Sequence, residues 1–286
     1  MSKPITWGTC LDYTVNTRDS WRNGGGRKSA LHYSGLFTEF QGRSFPVKNI
    51  DKALINSLCV RLEERGVTNA SINRFISAVQ CVLNFCKEDE VITCDIHTPF
   101  RKRREEDCTR KHFTKEQVHE MVRIAREQFQ RDDLADIILF ASLTGMRMSE
   151  ILNLPASWVN FSSNLLELQK CKHGKARSIP IHPKLLPMLE KRCEFTQPKV
   201  KIFGDEWNGP DQLRRAFYNV TKRYMDLGND YVFHCLRHSF GTWHFAANTP
   251  PRDVMEMMGH SVLTTTLLYG KSTNESQQKH VAALAF

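Results

Sequence analysis

The chain has 286 residues, 41% hydrophobic and 25% charged, which is enough for one large domain or two ordinary ones with a real core. Its formal net charge of +9 points to a polyanionic partner, nucleic acid before an acidic membrane surface. The N-terminus lacks the apolar stretch of a signal peptide, the longest apolar run (near residues 134–143) is too short to span a bilayer, and the nine cysteines form no Cys-x-x-Cys pair, so reduced thiols in a cytoplasmic protein are expected. In chain order, residues 6–21 predict a first helix, ended by the breaker Asn23-Gly24-Gly25-Gly26. Residues 29–40, 51–65 and 69–88 predict three more. Gly66 stops the third, and Ile72, Phe75, Ile76, Val79, Val82 and Leu83 recur at helical spacing in the fourth. Four short helices make a small bundle whose apolar stripes read as core rather than as a ligand site.

Residues 98–112 combine Pro99 with a dense basic set: Arg101, Lys102, Arg103, Arg104, Arg110 and Lys111. Such a run is usually a solvated linker and sometimes a nucleic-acid contact. The expected division is therefore a domain at 1–97, a basic linker at 98–112 and a second domain at 113–286. Thr114 and Gln117 have the spacing of a capping box, starting a helix that runs to about residue 130, with further helices at 132–143 and 149–153. After Pro155 the pattern changes to three short strands at 158–161, 165–169 and 177–181. The last two are joined by a polar turn containing Lys170, Lys172, Gly174 and Lys175. Helices resume at 183–195, 211–227, 235–247, 252–258 and 263–269. The sequence contains no internal repeat. Cys108 with His112 is one candidate metal pair, but no second pair has matching spacing, so a zinc site is not expected.

One set of side chains carries chemistry. In chain order it is Arg147, Lys172, His234, Arg237, His260 and Tyr269, with Glu150 one helical turn after Arg147. Breaking a phosphodiester without a metal needs an activated nucleophile, cations on the non-bridging oxygens and a proton for the leaving oxygen. Arg147 and Arg237 suit the second task, because a guanidinium donates two parallel hydrogen bonds and stays charged. Tyr269 can supply the first, given cationic surroundings, and a lysine or histidine the third. Each has an ordinary structural reading beside this one. Arg147 and Glu150 make an i,i+3 ion pair, His234 and Arg237 a polar helix start, and Tyr269 a packed aromatic. His238 and His244 read as structural, since neither fits a separate chemical role.

The joint order of these residues resembles the tyrosine recombinase family of the phage-integrase type. Thr144-Gly145-Met146-Arg147-Met148-Ser149-Glu150 is similar to that family's T-G-x-R-x-x-E turn. Lys172-His173-Gly174-Lys175-Ala176-Arg177-Ser178-Ile179-Pro180 matches its K-x-G-x-x-R-x-x-P hairpin, which makes Lys172 the match rather than Lys170 or Lys175. His234-Cys235-Leu236-Arg237-His238 matches the H-x-L-R-H box and Gly259-His260 the G-H box, with Tyr269 following. The specific motifs cover about residues 113–270. A weaker likeness at 71–78 is to the last helix of the family's core-binding domain. Gly241-Thr242-Trp243 departs slightly from the usual small-residue run, which bears on packing rather than chemistry.

The resemblance implies a mainly α protein. An N-terminal four-helix core-binding (SAM-like) domain would precede an α+β tyrosine-recombinase catalytic domain with a small antiparallel sheet. Tyr269 would attack the scissile phosphate and form a 3′-phosphotyrosyl link. Arg147, Arg237 and His260 would hold the non-bridging oxygens, Lys172 would protonate the leaving 5′-oxygen, His234 would assist proton transfer at the tyrosine or the phosphate, and Glu150 would orient Arg147 or its neighbours. Neither ATP nor a metal is needed, so no cofactor is expected. The partner would be double-stranded DNA at attachment or core-type sites, with Arg101, Lys102, Arg103, Arg104, Arg110, Lys111 and Arg74 as contacts and base readout from 69–74 and 212–215. Larger family members carry an additional N-terminal arm-binding domain; a first helix starting near residue 6 predicts its absence here. The apolar tail at 280–286 would dock on a neighbouring subunit to build a homotetramer, and an accessory DNA-bending protein is a further candidate partner. The expected activity is site-specific integration of phage or mobile-element DNA. The alternatives are a type IB topoisomerase-like nicking and resealing enzyme and a catalytically silent DNA-binding protein. A metal-dependent nuclease is disfavoured, because no carboxylate cluster accompanies the motifs.

Overall fold

The computed structural model describes residues 4–24, 26–96, 98–105, 111–169, 176–194, 197–204, 206–270 and 282. The chain divides into two compact units, Met1–Cys108 and Thr109–Phe286. The first contains α1 (Trp7–Thr17), α2 (Asp19–Arg22), α3 (Arg27–Gln41), α4 (Lys52–Glu64) and α5 (Asn69–Glu88). Side-chain caps fix three of the starts. Thr6 accepts from the Thr9 N–H, Asp51 from Leu54 and Thr68 from Ser71, each satisfying an otherwise orphaned donor. The apolar stripes meet in one core that includes Trp7, Phe37, Leu58, Leu62, Phe75, Ile76 and Val79.

The helix expected over 6–21 is two helices. Arg18 is extended (φ −69°, ψ 113°), and the break follows a turn in which Thr14 and Thr17 hydroxyls donate back to the carbonyls of Cys10 and Tyr13. Such back-bonding competes with the regular ladder and bends helices. The kink lets Trp21 turn into the core, where burial of a large indole outweighs one interrupted turn.

The second unit holds α6 (Lys115–Glu127), α7 (Asp132–Thr144), α8 (Met148–Ile151), β1 (Val159–Asn160), β2 (Leu165–Leu168), β3 (Arg177–Pro180), α9 (Leu186–Cys193), α10 (Pro210–Tyr218), α11 (His234–Ala246), α12 (Pro251–Met258) and α13 (Leu263–Leu267). The strands form an antiparallel sheet in the order β1-β2-β3, with Leu166 opposite both Val159 and Ile179. Leu166 and Leu168 point into the core and Glu167 outward, the period-two pattern of a half-buried strand. Phe113, Ile137, Ile138, Phe140, Leu166, Ile179, Phe203, Phe217 and Leu236 fill the main core. The protein is thus mainly helical with one small sheet. α10 runs into a wider π-helical turn at Asn219–Tyr224 instead of continuing regularly to residue 227. α13 stops at Leu267, so Tyr269 lies just beyond the helix expected to carry it. Among the described residues no helix is long and apolar enough to cross a membrane.

Candidate functional site

Arg147 is placed by a helix stop. α7 ends at Gly145, whose φ of 62° is left-handed, and a Cβ there would lie 2.5 Å from the Phe240 ring. Glycine alone meets both demands. Arg147 is then extended and caps α8, its backbone N–H donating to Glu150 Oε2 at 2.9 Å. Its Nη1 donates to Glu150 Oε1 at 3.2 Å and its Nη2 to the Gly259 carbonyl at 3.3 Å. The side chain remains 37% exposed, so an anion can still reach the guanidinium.

Glu150 holds a second arginine. Arg177, on β3, donates from Nη1 and Nη2 to the two carboxylate oxygens at 3.2 and 2.8 Å, and from Nε to the Met257 carbonyl at 3.0 Å. Burial pushes the Glu150 carboxyl up. The hydrogen bond and charge of Arg177, then the N–H and charge of Arg147, outweigh it, and the group sits below its ordinary range. Arg177 appears in the sequence only as part of a motif, with no role. The signal that could have found it is an arginine on a short strand beside the apolar Ile179, a position that needs a buried carboxylate partner.

Arg237 is 2% exposed. Its Nη1 donates to the Gly145 carbonyl at 2.7 Å and its Nη2 to the Met258 carbonyl at 2.6 Å. Both acceptors are at helix C-termini, where carbonyls lack intrahelical partners and the helix dipole favours a cation. Burial, then the nearby Arg147 charge, lowers the Arg237 pKa to about 10, so it is still a cation at neutral pH. Gly259 ends α12 in left-handed backbone (φ 66°), and a Cβ there would meet the Arg177 guanidinium at 2.8 Å. His260 follows, with Nδ1 hydrogen-bonded to Thr266 Oγ1 at 2.8 Å and its ring stacked on that of Tyr269, centroids 6.1 Å apart.

Tyr269 is 8% exposed and packs in a small apolar cluster with Phe240, Val254 and Met258. Its ring lies over Gly241, where a Cβ would come within 2.8 Å of it. Its hydroxyl is 3.0 Å from His238 Nδ1. The sequence reads His238 as structural, with no chemical role of its own; the structure instead brings it to the Tyr269 hydroxyl, because positions 238 and 241 share one face of α11. The His234 ring, one turn earlier, is edge-on to that of His238 with centroids 4.7 Å apart. His244 stands against Phe240 and Thr249, and burial lowers its pKa. The fold therefore brings together Arg147, Glu150, Arg237, His260 and Tyr269, with His234 and His238 on the helix that carries Arg237. Lys172, like Lys170 and Lys175, lies outside the described residues.

Of the basic residues expected at DNA, Arg74, Arg101, Lys102, Arg104 and Lys111 are exposed, and Arg110 lies outside the described residues. Arg103 is engaged by protein: Nε donates to Glu63 at 2.6 Å and Nη1 to Asn56 at 3.4 Å. Residues 98–105 pack on the rest of the first unit. Phe100 is buried, Asn69 donates to the Arg104 carbonyl at 2.8 Å, and Asn73 both donates to and accepts from the Arg103 backbone. Within the segment expected to read bases, Asn73 is 6% exposed, with its amide bonded to this strap. In the other segment, Gln212 accepts from the Asn208 N–H and Arg214 pairs with Asp211. Among the described residues no group of three or more His, Cys, Asp or Glu side chains could hold a metal ion.

The model of the phage integrase family matches residues 111–276. The tyrosine recombinase XerA of Thermococcus onnurineus (strain NA1) is 29% identical over 223 residues, which cover 77% of each chain. The tyrosine recombinase XerD of Staphylococcus epidermidis (strain RP62A) is 25% identical over 239 residues, 77% of this chain and 78% of that one. Among solved structures, the Tn1549 transposon integrase in complex with transposon right end DNA superposes with a TM-score of 0.81 at 16% identity, covering 99% of this chain and 100% of that one. A lambda integrase dimer bound to a COC′ core site gives 0.72 at 16% identity, with 94% and 97% covered. At such identities the structural likeness speaks to the fold.

Proposed function

This chain belongs to the phage integrase family of tyrosine recombinases, and on that premise we propose that it is a site-specific DNA recombinase that integrates phage or mobile-element DNA through a 3′-phosphotyrosyl intermediate on Tyr269. The observation that carries this reading is the convergence of two guanidiniums and Tyr269 around the ends of α7 and α12. Arg147 reaches the Gly259 carbonyl, Arg237 bridges those of Gly145 and Met258, and the Tyr269 ring stacks on His260.

Tyr269 attacks the scissile phosphate. The negative charge that builds on the non-bridging oxygens is met by Arg147, Arg237 and His260, fixed before substrate arrives, which removes the reorganisation cost that water would impose. Lys172 donates the proton that the leaving 5′-oxygen requires. His234 supports proton transfer, and Glu150 holds Arg147 and Arg177 in register. The phosphotyrosyl bond conserves the energy of the broken linkage, so a second strand's 5′-hydroxyl reverses the step without ATP. Arg74, Arg101, Lys102, Arg104, Arg110 and Lys111 contact phosphates of double-stranded DNA, adding affinity without sequence choice. The tail at 280–286, of which residue 282 alone is described, joins protomers into a homotetramer.

The test is covalent capture. Protein is mixed in EDTA with nicked, labelled DNA fragments from the region flanking its own gene and run on a denaturing gel, with Tyr269→Phe alongside and a gel shift to show that both bind. A labelled protein band that disappears in Tyr269→Phe supports the reading. A band that persists makes Tyr269 the wrong nucleophile, and good binding without any band points to a silent DNA-binding protein. Relaxation of supercoils with no strand exchange at the captured site would favour the topoisomerase-like alternative.

A further inference from the structure

A phenol attacks phosphorus poorly while it keeps its proton, and its ordinary pKa of about 10 keeps the proton on at neutral pH. Something in the site must take it. Arg147 and Arg237 carry donors only, so neither can. His260 has its Nδ1 on Thr266 and its ring stacked face to face on that of Tyr269, so its contact is with the ring. The Tyr269 hydroxyl lies 3.0 Å from His238 Nδ1, within direct proton-transfer reach.

The placement is built into α11. Gly241 leaves room for the Tyr269 ring, and three positions earlier on the same face His238 meets its hydroxyl. The helix is itself held: Arg237 bridges two carbonyls, and Ser239 Oγ accepts from the Phe113 N–H at 2.8 Å while donating to the Cys235 carbonyl at 2.9 Å. The His234 ring packs against the imidazole at nearly a right angle.

We propose that His238 is the proton acceptor for Tyr269, an assignment that rests on the recombinase reading of this site. With the imidazole neutral and its proton on Nε2, Nδ1 accepts the phenol hydrogen. As a Tyr269 oxygen lone pair forms the bond to phosphorus, the bond from phosphorus to the 5′-oxygen breaks. The phenol proton passes to His238 Nδ1, and the leaving oxygen takes its own from Lys172. Resealing runs the same transfers backwards, with His238 returning the proton to the departing phenolate. An imidazole, with an ordinary pKa of about 6.5, suits both directions near neutrality.

The decisive variant is His238→Asn, whose amide oxygen can accept the phenol hydrogen bond near the place of Nδ1 but does not take up the proton. On the duplex captured by wild-type protein, its single-turnover cleavage should fall about 100-fold or more, with the gel shift unchanged. A substrate with sulfur in place of the 5′-bridging oxygen, whose thiolate leaves without a proton, should restore Lys172→Ala and leave His238→Asn slow. His238→Gln takes its place should the Asn variant fail to fold. Cleavage by His238→Asn at the wild-type rate, or its rescue by the sulfur substrate, overturns the assignment while leaving the recombinase reading intact. If wild-type protein itself forms no covalent complex, the reading falls and this assignment falls with it.

Discussion

Glu150 serves two guanidiniums at once, so removing its charge strands a buried cation. Arg177 is only 6% exposed and Glu150 16%, and Glu150→Gln leaves Arg177 facing a neutral amide. Loss of about 3 kcal/mol at neutral pH is expected, the low end for breaking a buried pair, measured by urea unfolding. Because the folded carboxyl is held below its ordinary value, its contribution is complete above the unfolded pKa and is lost as pH falls through the folded one. The gap between Glu150→Gln and wild type should therefore narrow on going to about pH 3; a gap that stays constant would show that the charge is not what stabilises. Gly241 gives a second test at this scale. An alanine methyl would lie 2.8 Å from the Tyr269 ring and displace it. Gly241→Ala should lower covalent capture about 100-fold, as expected for a nucleophile moved by roughly 1 Å, while a gel shift reports unchanged DNA binding.

At the level of elements, the site is made where helices stop. Gly145 ends α7 and frees a carbonyl for Arg237; Met258 and Gly259 end α12 and offer two more, to Arg237 and Arg147. Gly145→Ala would force a side chain into left-handed backbone, at a cost of about 1–2 kcal/mol, and push the Phe240 ring aside. A lower melting temperature together with weaker covalent capture is expected; loss of stability with full capture would mean that the stop does not position Arg147. Some of this was legible in the sequence. The Thr114 and Gln117 capping box is present in both its bonds, at 3.2 and 2.9 Å, because it depends on residues three apart. The break at Arg18 was not legible, since it answers to where Trp21 finds a core.

For the whole molecule, the +9 charge and the exposed basic residues make DNA binding an electrostatic question. Log affinity should fall linearly with log salt concentration. Replacing Arg101 and Lys102 with alanine should reduce the slope by about 0.9 for each phosphate that is no longer neutralised, measured by fluorescence anisotropy over a salt series. Arg103→Ala should change the slope least of the three, because Glu63 and Asn56 already hold its guanidinium. The proposed tetramer makes a separate claim: deleting residues 280–286 should weaken assembly on DNA in sedimentation while a single protomer still binds, and unchanged recombination by the shortened protein would count against it.

The sequence by itself determined the helical character, the short sheet and the order of the chemistry-bearing side chains. Helix and strand periods, caps and motif spacings are local properties, readable within a few positions. Only the tertiary structure decided what those side chains touch. Arg177 and Glu150 are 27 positions apart, His238 and Tyr269 31, and Arg237 and Gly145 92. His238 reads as an ordinary helix residue until α11 and the segment after α13 are packed together, and Asn73 as a surface amide until residues 98–105 fold over it. Contacts at such separations are set by burial and by buried polar groups finding partners, and no window of neighbouring residues contains that information.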